Sequence, residues 1–276
     1  GLEGTFMVPK NVEVLGFGAF ENSKLSSITF EDGINLLTLG YRAFYNASIR
    51  SISIPESVVS IDYYAFAMNK YLESVKFSEN NKLSGIYEGA FYGCINLTDI
   101  TIPDNIYEIS DYAFSGCLKL EKIPVTENSQ LMGIYDYAFS NSGLKEINLP
   151  GSLIDIGNYA FQGIDVTEIT VPSNNKEQLI IGFGAFADIN NLESITLPFI
   201  GATLNDEEYS WFGYIFGAGE AESNELYVPT SLKEVTISEG QTFIGYMAFK
   251  DLEHIEVINF PTTIDTVYED AMTNTN

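Results

Sequence analysis

Apolar residues recur along the whole chain in a unit of about 23 residues. Residues 97–119 show the unit clearly, with mostly polar side chains between its apolar positions. Those apolar positions are Leu97, Ile100, Ile102, Ile106 and Ile109. The unit ends soon after the pair Ala113-Phe114, and the same pattern starts again at Leu120. A fixed period of this length indicates a repeat architecture.

The pair of alanine and phenylalanine marks each copy of the unit. Its phenylalanines are Phe20, Phe44, Phe66, Phe91, Phe114, Phe139, Phe161, Phe186 and Phe249. Two variants, Ile215-Phe216 and Ala271-Met272, extend the series to eleven copies. A small residue lets the backbones of neighbouring turns approach, while the ring points inward and stacks on the rings above and below. We therefore expect these phenylalanines to form a buried spine.

A strand is predicted five or six residues after most of these pairs, where apolar and polar residues alternate. The predicted strands are Leu25–Phe30, Ile49–Ile54, Leu72–Phe77, Leu120–Val125, Leu144–Leu149, Val166–Val171, Leu192–Leu197, Leu232–Ile237 and Ile255–Phe260. One strand per turn cannot bury its own apolar face, so the turns must stack into a parallel sheet. The sequence therefore predicts a single repeat domain of about eleven turns over residues 1–276.

The repeat unit resembles that of a known family. Residues 97–117 read Leu-x-x-Ile-x-Ile-Pro-x-x-Ile-x-x-Ile-x-x-x-Ala-Phe-x-x-Cys, which is similar to the BspA-like leucine-rich repeats of bacterial surface proteins. The resemblance implies a curved leucine-rich-repeat solenoid, with a parallel β-sheet on one face and short helical or irregular turns opposite. It also implies an adhesive or host-interacting protein without enzymatic activity. No functional residue is carried over, because the positions of the motif are core positions.

The pattern is broken in residues 199–231, where two successive turns are stretched. This segment contains the only tryptophan of the chain and a dense group of aromatic residues. Insertions in a repeat array form loops on one surface, where functional residues are often found. The candidate partner-binding residues are Tyr209, Trp211, Phe212, Tyr214 and Tyr227. The alternative is that these rings fill the enlarged core of two oversized turns.

A column of tyrosines offers a second candidate surface. Tyr112, Tyr137 and Tyr159 each lie two residues before a spine phenylalanine. These rings could form a stacking stripe for sugars or protein, or they could cover the turn as part of the regular packing. The outward strand positions are short and polar, and they lack the aromatic and arginine side chains that usually concentrate binding energy. The stretched turns are therefore the stronger candidate.

Acidic residues outnumber basic ones by 38 to 13, which makes the formal net charge −25. This charge argues against nucleic acid and anionic membrane surfaces as partners, because both would repel the chain. No run of about 18 apolar residues is present to span a membrane. Since the chain begins at Gly1 rather than at a methionine, we expect a signal or anchor segment to be absent from this sequence. The resemblance implies a location outside a bacterium or on its surface.

The sequence offers little support for catalysis, a cofactor or a metal site. His254 is the only histidine, and no Gly-x-Ser-x-Gly nucleophile motif accompanies it. The acidic residues of 206–225 lack the spacing of an EF-hand loop, which favours a solvated loop over a calcium site. Cys94 and Cys117 each follow a spine phenylalanine by three residues. Free thiols and a disulfide both remain open for this pair.

These observations predict a non-enzymatic surface module that binds a protein, such as a host or extracellular-matrix protein, or else a glycan. A structural spacer within a larger surface protein is the alternative, and a carbohydrate-active enzyme is a distant one. The three hypotheses differ in what the surface should show. A binder requires a contiguous exposed aromatic patch, a spacer has featureless polar faces, and a glycosidase has a cleft with paired carboxylates.

Overall fold

The computed structural model describes residues 3–122 and 128–275, which form a parallel β-solenoid of about eleven turns spaced by roughly 23 residues. The chain divides into two compact units, Gly1–Leu144 and Lys145–Asn276. In chain order the strands are β1 (Glu3–Val8), β2 (Val14–Leu15), β3 (Lys24–Phe30), β4 (Thr38–Leu39), β5 (Ser51–Ile54), β6 (Ser60–Ile61), β7 (Ser74–Phe77), β8 (Gly85–Ile86), β9 (Asp99–Ile100), β10 (Glu108–Ile109), β11 (Gly133–Ile134), β12 (Asp155–Ile156), β13 (Glu168–Thr170), β14 (Ile180–Ile181), β15 (Ser194–Leu197), β16 (Glu234–Ile237), β17 (Phe243–Ile244), β18 (Val257–Asn259) and β19 (Thr266–Val267). The helical segments are two 3-10 helices, Phe212–Phe216 and Ala221–Ser223, and one α-helical turn, α1 (Asn224–Tyr227).

In the first unit, the turns contribute strands to two ladders. The longer strands pair in parallel as β1-β3 and β5-β7-β9, and the two-residue strands pair as β2-β4-β6 and β8-β10-β11. Ile52, Val75 and Ile100 lie side by side in register and are at most 3% exposed. Ser53 and Lys76, one residue further along, are exposed. The period of two thus places the apolar side chains on the core face and the polar ones in solvent.

The second unit repeats this arrangement. Its longer strands pair as β13-β15-β16-β18, and its short strands pair as β12-β14 and β17-β19. Ile195 and Val235 are neighbours in the long ladder and are at most 2% exposed. Because β15 pairs directly with β16, the stretched segment 199–231 leaves the ladder and returns to it without interrupting it.

Most predicted strands are confirmed, but the one at Leu144–Leu149 is wrong. Leu144 is buried as expected, yet this segment forms no strand. Apolar alternation shows which side chains face the core, whereas a strand also needs backbone partners in register on a neighbouring turn. Part of the predicted strand Leu120–Val125 lies outside the described residues. The ladders of two-residue strands were not predicted, because two residues are too short a signal. The strand β1 was not predicted because it precedes the first pair of alanine and phenylalanine, and the predicted strands all follow such a pair.

The phenylalanine spine is confirmed in the first unit. Successive rings from Phe20 to Phe139 stack with centroids 5.1–5.4 Å apart and with planes within 12° of parallel. The backbone N–H of a spine phenylalanine donates a hydrogen bond to the carbonyl of the alanine in the next turn, as from Phe44 to Ala65 at 2.7 Å. Ala65 is fully buried, like the rings on either side of it. The small residue therefore permits the close approach on which the ring stack depends.

Two left-handed residues flank each of the nine spine phenylalanines, one two positions before it and one two positions after it. In successive turns the preceding residue is Tyr64 (φ 56°) and Gly89 (φ 58°). A Cβ on Gly89 would lie 2.3 Å from the ring of Tyr64, so the glycine makes room for the tyrosine of the turn before it. Tyr112 and Tyr137 occupy the same position and stack on each other at 5.0 Å. Tyr112 and Tyr137 thus cover the turns as part of the regular packing.

The two cysteines satisfy backbone carbonyls of the spine. Both are free and fully buried. The thiol of Cys94 donates a hydrogen bond to the carbonyl of Phe66 at 3.1 Å, and that of Cys117 donates to the carbonyl of Phe91 at 3.2 Å. Asn69 occupies the same position of an earlier turn and donates to the carbonyl of Phe66 at 2.7 Å. These three side chains donate to spine carbonyls, whereas the same position is apolar in other turns, as at Ala47, Ile164 and Leu252.

Replacement of Phe139 by alanine should destabilise the protein. The ring is 1% exposed and stacks on Phe114 at 5.2 Å. The lost burial and the resulting cavity should cost about 3–5 kcal/mol of folding free energy, which thermal melting measures. Phe17→Ala is the control, because the Phe17 ring is 73% exposed. If Phe139→Ala melted within about two degrees of wild type, the spine would not be a main source of stability.

The thiols should be unreactive in the folded protein. Burial raises the pKa of Cys94 to about 12 and raises the pKa of Cys117 well above its usual value. Because the thiolate is the reactive form, Ellman's reagent should label neither cysteine in native protein at neutral pH and should label both after unfolding in guanidinium. Rapid labelling of native protein would contradict the buried placement, and loss of both labels after unfolding would reveal a disulfide.

Candidate functional site

The side chain of Asn224 connects the stretched turns to the turn that follows them by hydrogen bonds. This residue begins α1 and is fully buried. Its Oδ1 accepts a hydrogen bond from the N–H of Gly213 at 2.9 Å, and its Nδ2 donates to the carbonyls of Met247 and Ala248 at 3.1 Å. A Cβ on Gly213 would lie 2.4 Å from the Asn224 oxygen, so this position requires glycine. One buried amide thus links the N–H of Gly213 to two carbonyls of the turn that follows.

Phe212, predicted as a partner-binding residue, is a core residue instead. Its side chain is fully buried and stacks on Phe249 with centroids 4.9 Å apart. Its N–H donates to the carbonyl of Ala248 at 2.9 Å, as a spine phenylalanine does. The carbonyl of Ile215, in turn, accepts the N–H of Phe186 at 2.8 Å. Two residues of the insertion therefore share the role of a spine phenylalanine. Ile215 is hydrogen-bonded to the turn before, and Phe212 is hydrogen-bonded to the turn after and stacks on its ring.

Three of the predicted residues come together at the surface of the second unit. Tyr209, Trp211 and Tyr214 have ring centroids 5.4–5.9 Å from one another. Tyr214 also contacts Phe183 edge-on at 5.5 Å, and Phe183 contacts Tyr159 at 5.7 Å. We call these five residues the aromatic patch. Tyr209 is 39% exposed, and the other four are half-buried.

The tryptophan of the patch is held in place by its indole. Its Nε1 donates a hydrogen bond to the carbonyl of Ala218 at 2.8 Å. The N–H therefore faces the protein, and the ring presents part of its apolar surface to solvent beside Tyr209. An aromatic ring whose polar group is hydrogen-bonded and whose other end is partly exposed to solvent is typical of binding surfaces.

Tyr227 does not join the patch. It lies on α1 beside Gly217 and is 48% exposed, and its ring pairs with no other ring of residues 3–122 or 128–275. Phe183 was missed as a site residue because it stands between Gly182 and Gly184 in a regular turn. Its position three residues before Phe186 corresponds to that of Tyr209 before Phe212. Aligning these two turns on their spine residues would have revealed the match.

Carboxylates border the patch. Asp206 shapes the loop, because its Oδ1 accepts the N–H groups of Glu208 at 2.8 Å and of Tyr209 at 3.4 Å. The hydroxyl of Tyr209 donates to Glu208, and this hydrogen bond and the charge of Glu208 raise the pKa of Tyr209. Burial, followed by the effects of Tyr209 and Asp206, raises the pKa of Tyr214. Both phenols are therefore neutral donors at physiological pH.

A cleft of about 200 Å³ adjoins the loop of the patch. Its lining is Glu207, Ser210, Phe243, Gly245, Tyr246 and Tyr268. This volume is below the range of about 300–1,000 Å³ that is usual for sites of small organic ligands. The cleft and the patch together therefore form an uneven surface, which suits a macromolecule better than an enclosed small molecule.

Other chemistry finds little support in the described residues. Within 3–122 and 128–275, no group of three His, Cys, Asp or Glu side chains is placed to hold a metal ion. His254 is half-buried, and burial together with the nearby Lys233 lowers its pKa. Across the same part of the chain, no helix combines the length and the apolar character needed to cross a membrane.

A solved structure shows the same fold, and two others are less similar. A leucine-rich repeat protein from Bacteroides ovatus ATCC 8483 superimposes with a TM-score of 0.69 at 24% identity, and the alignment covers 98% of this chain and 76% of that one. A leucine rich cell surface protein from Faecalibacterium prausnitzii A2-165 has a TM-score of 0.48 at 18% identity, with coverage of 94% and 60%. The pneumococcal vaccine antigen PcpA has a TM-score of 0.44 at 21% identity, with coverage of 96% and 79%.

Sequence comparison identifies the family. No curated protein matches the chain. The profile of the BspA type leucine rich repeat region matches residues 4–121, 84–212 and 221–276. These matches include both units and nearly every turn of the solenoid. The chain therefore belongs to the BspA type leucine-rich-repeat family.

Proposed function

We propose that this chain is a non-enzymatic binding module of a bacterial cell surface and that it takes a protein partner on the aromatic patch. Membership of the BspA type repeat family supports the surface location, because the repeats of that family resemble those of bacterial surface proteins. Stacked repeats present extended surfaces, which many repeat proteins use to bind other proteins. The proposal depends on one observation, namely that the rings of the patch lie at the surface rather than in the core where the repeat is broken.

The enlarged core of the stretched turns does not need the rings of the patch. Phe199, Phe212, Ile215 and Phe216 are each at most 1% exposed, and they fill the interior of this segment. Tyr209 remains exposed, although Phe212, three residues later, is fully buried. Tyrosine and tryptophan side chains supply much of the energy of protein interfaces, since they bury a large area and keep a polar group available. The patch therefore has the composition of an interface rather than that of a core.

A spacer or an enzyme would have other features. A spacer would present polar faces throughout, whereas five neighbouring aromatic rings interrupt the surface here. A glycosidase would place two carboxylates across a cleft. The described cleft beside the patch has one carboxylate, Glu207, among its lining residues. At this surface, these features favour binding over both alternatives.

Replacement of Tyr209 by alanine should weaken partner binding without unfolding the protein. The probes are a printed array of purified extracellular-matrix proteins and a glycan array, each treated with labelled protein. We expect wild type to bind at least one protein, and Tyr209→Ala to bind it about tenfold or more weakly, as for a central interface residue. The melting temperature should stay within about two degrees of wild type.

Tyr92→Ala is the matched control, because both tyrosines are 39% exposed and Tyr92 lies in the first unit. This variant should keep full binding. An equal loss in both variants, or no loss in Tyr209→Ala, would contradict the role of the patch. Binding to glycans alone would overturn the protein partner, and binding to neither array would favour a spacer.

A further inference from the structure

The stretched turns carry negative charge without any basic residue. Residues 199–231 contain no lysine or arginine and six acidic residues, which are Asp206, Glu207, Glu208, Glu220, Glu222 and Glu225. The second unit as a whole has 21 acidic residues and 4 lysines. A partner that binds here therefore contacts an excess of carboxylates close to aromatic rings.

The lysines of the second unit are engaged away from the patch. Lys145 pairs with Asp165, Lys250 pairs with Asp251, and Lys233 lies 3.7 Å from Glu256. The ammonium of Lys176 donates to the carbonyl of Glu239. No cation of this unit thus neutralises Glu207 or Glu208, so a partner would have to supply one.

The chain itself shows how its carboxylates and tyrosines take up a cation. The guanidinium of Arg42 lies 2.5 Å from the carboxylate of Glu21 and 3.9 Å from the centre of the Tyr45 ring. The Arg42 and Glu21 side chains are only 31% and 22% exposed. One carboxylate and one tyrosine ring thus hold an arginine at a partly buried site, in agreement with the attraction of a guanidinium to both groups.

The patch presents the same two groups side by side. The carboxylate of Glu208 is close enough to the Tyr209 hydroxyl to raise its pKa, and the rings of Trp211 and Tyr214 are 5.8 Å and 5.4 Å from the Tyr209 ring. Glu207 lines the neighbouring cleft, two residues before Tyr209 in the chain. We propose that the partner recognised at the aromatic patch is an arginine-rich protein segment, whose guanidinium groups stack on these rings and pair with Glu207 and Glu208.

This inference rests on the proposed function, since it names the partner of the same surface. Arginine is favoured over lysine because its planar group stacks on rings and forms two parallel hydrogen bonds with a carboxylate. An apolar segment would bury Glu207 and Glu208 without a counter-charge, which is costly. A second copy of this chain is disfavoured as well, because each copy has a net charge of −25.

Isothermal titration calorimetry with synthetic peptides and residues 1–276 tests the inference. The probe is a short peptide of alternating arginine and glycine, compared with peptides that carry lysine or glutamate in place of arginine. We expect the arginine peptide to bind, the lysine peptide to bind more weakly, and the glutamate peptide not to bind. Added sodium chloride should weaken the complex, because salt screens exposed charge pairs.

A charge-matched pair of variants separates a specific site from general attraction. The double variant Glu207→Gln/Glu208→Gln should bind the arginine peptide about tenfold more weakly, since two charge-assisted contacts are lost. The control Glu168→Gln/Glu177→Gln removes the same charge at two exposed positions outside the stretched turns and should change binding by less than about twofold. Melting curves of both variants check that they fold.

An equal loss in the two double variants would overturn the inference, because the peptide would then sense only net charge. Failure of the arginine peptide to bind, or tighter binding of the lysine peptide, would overturn it too. The proposed function is judged separately, by the loss of array binding in Tyr209→Ala. A partner that needs Tyr209 and is indifferent to Glu207 and Glu208 would therefore refute the arginine-rich segment alone.

Discussion

The hydrogen bond from a spine phenylalanine to the alanine carbonyl of the next turn is the contact on which the regular turns depend. It holds neighbouring backbones close enough for the rings of the first unit to stack at 5.1–5.4 Å. On each side of the phenylalanine, a residue in the left-handed conformation turns the backbone into and out of this close approach. A non-glycine residue in that conformation costs about 1–2 kcal/mol. Tyrosines such as Tyr64 offset part of this cost, because their rings cover the neighbouring turn.

The sequence was sufficient to predict the repeat and its core, since each turn has the same pattern of apolar and polar residues. Phe139 and Ile100 can be placed in the core from spacing alone, because period and burial are local properties of the chain. The strand predicted at Leu144–Leu149 was wrong, since backbone pairing depends on the neighbouring turns. The short strands β2 and β4 escaped prediction for the related reason that two residues carry no period.

The candidate site was harder to predict, because the inserted residues follow no repeat. Composition identified Tyr209, Trp211 and Tyr214 correctly as near neighbours. It could not distinguish them from Phe212, whose burial follows from its alignment with Phe249. That alignment depends on the amide of Asn224, which is one polar residue without a local signal. Distant hydrogen bonds therefore decided which rings face solvent.

The interrupted spine of the second unit also bears on how the turns unfold. The ring of Phe186 stacks on Phe161 but on no ring of the turn that follows, among the residues that the structure describes. In stacked repeats, the cooperativity of folding depends on the interface between neighbouring repeats. Here the interface contains the ladder β15-β16, the backbone hydrogen bonds from Gly184 to Tyr214 and from Phe186 to Ile215, and the edge-on contact of Phe183 with Tyr214. Because a stacked spine ring is missing among the described residues of this interface, we expect weaker coupling here than in the first unit. The amide protons of the turns after Phe212 should then exchange with solvent through openings that leave the preceding turns folded.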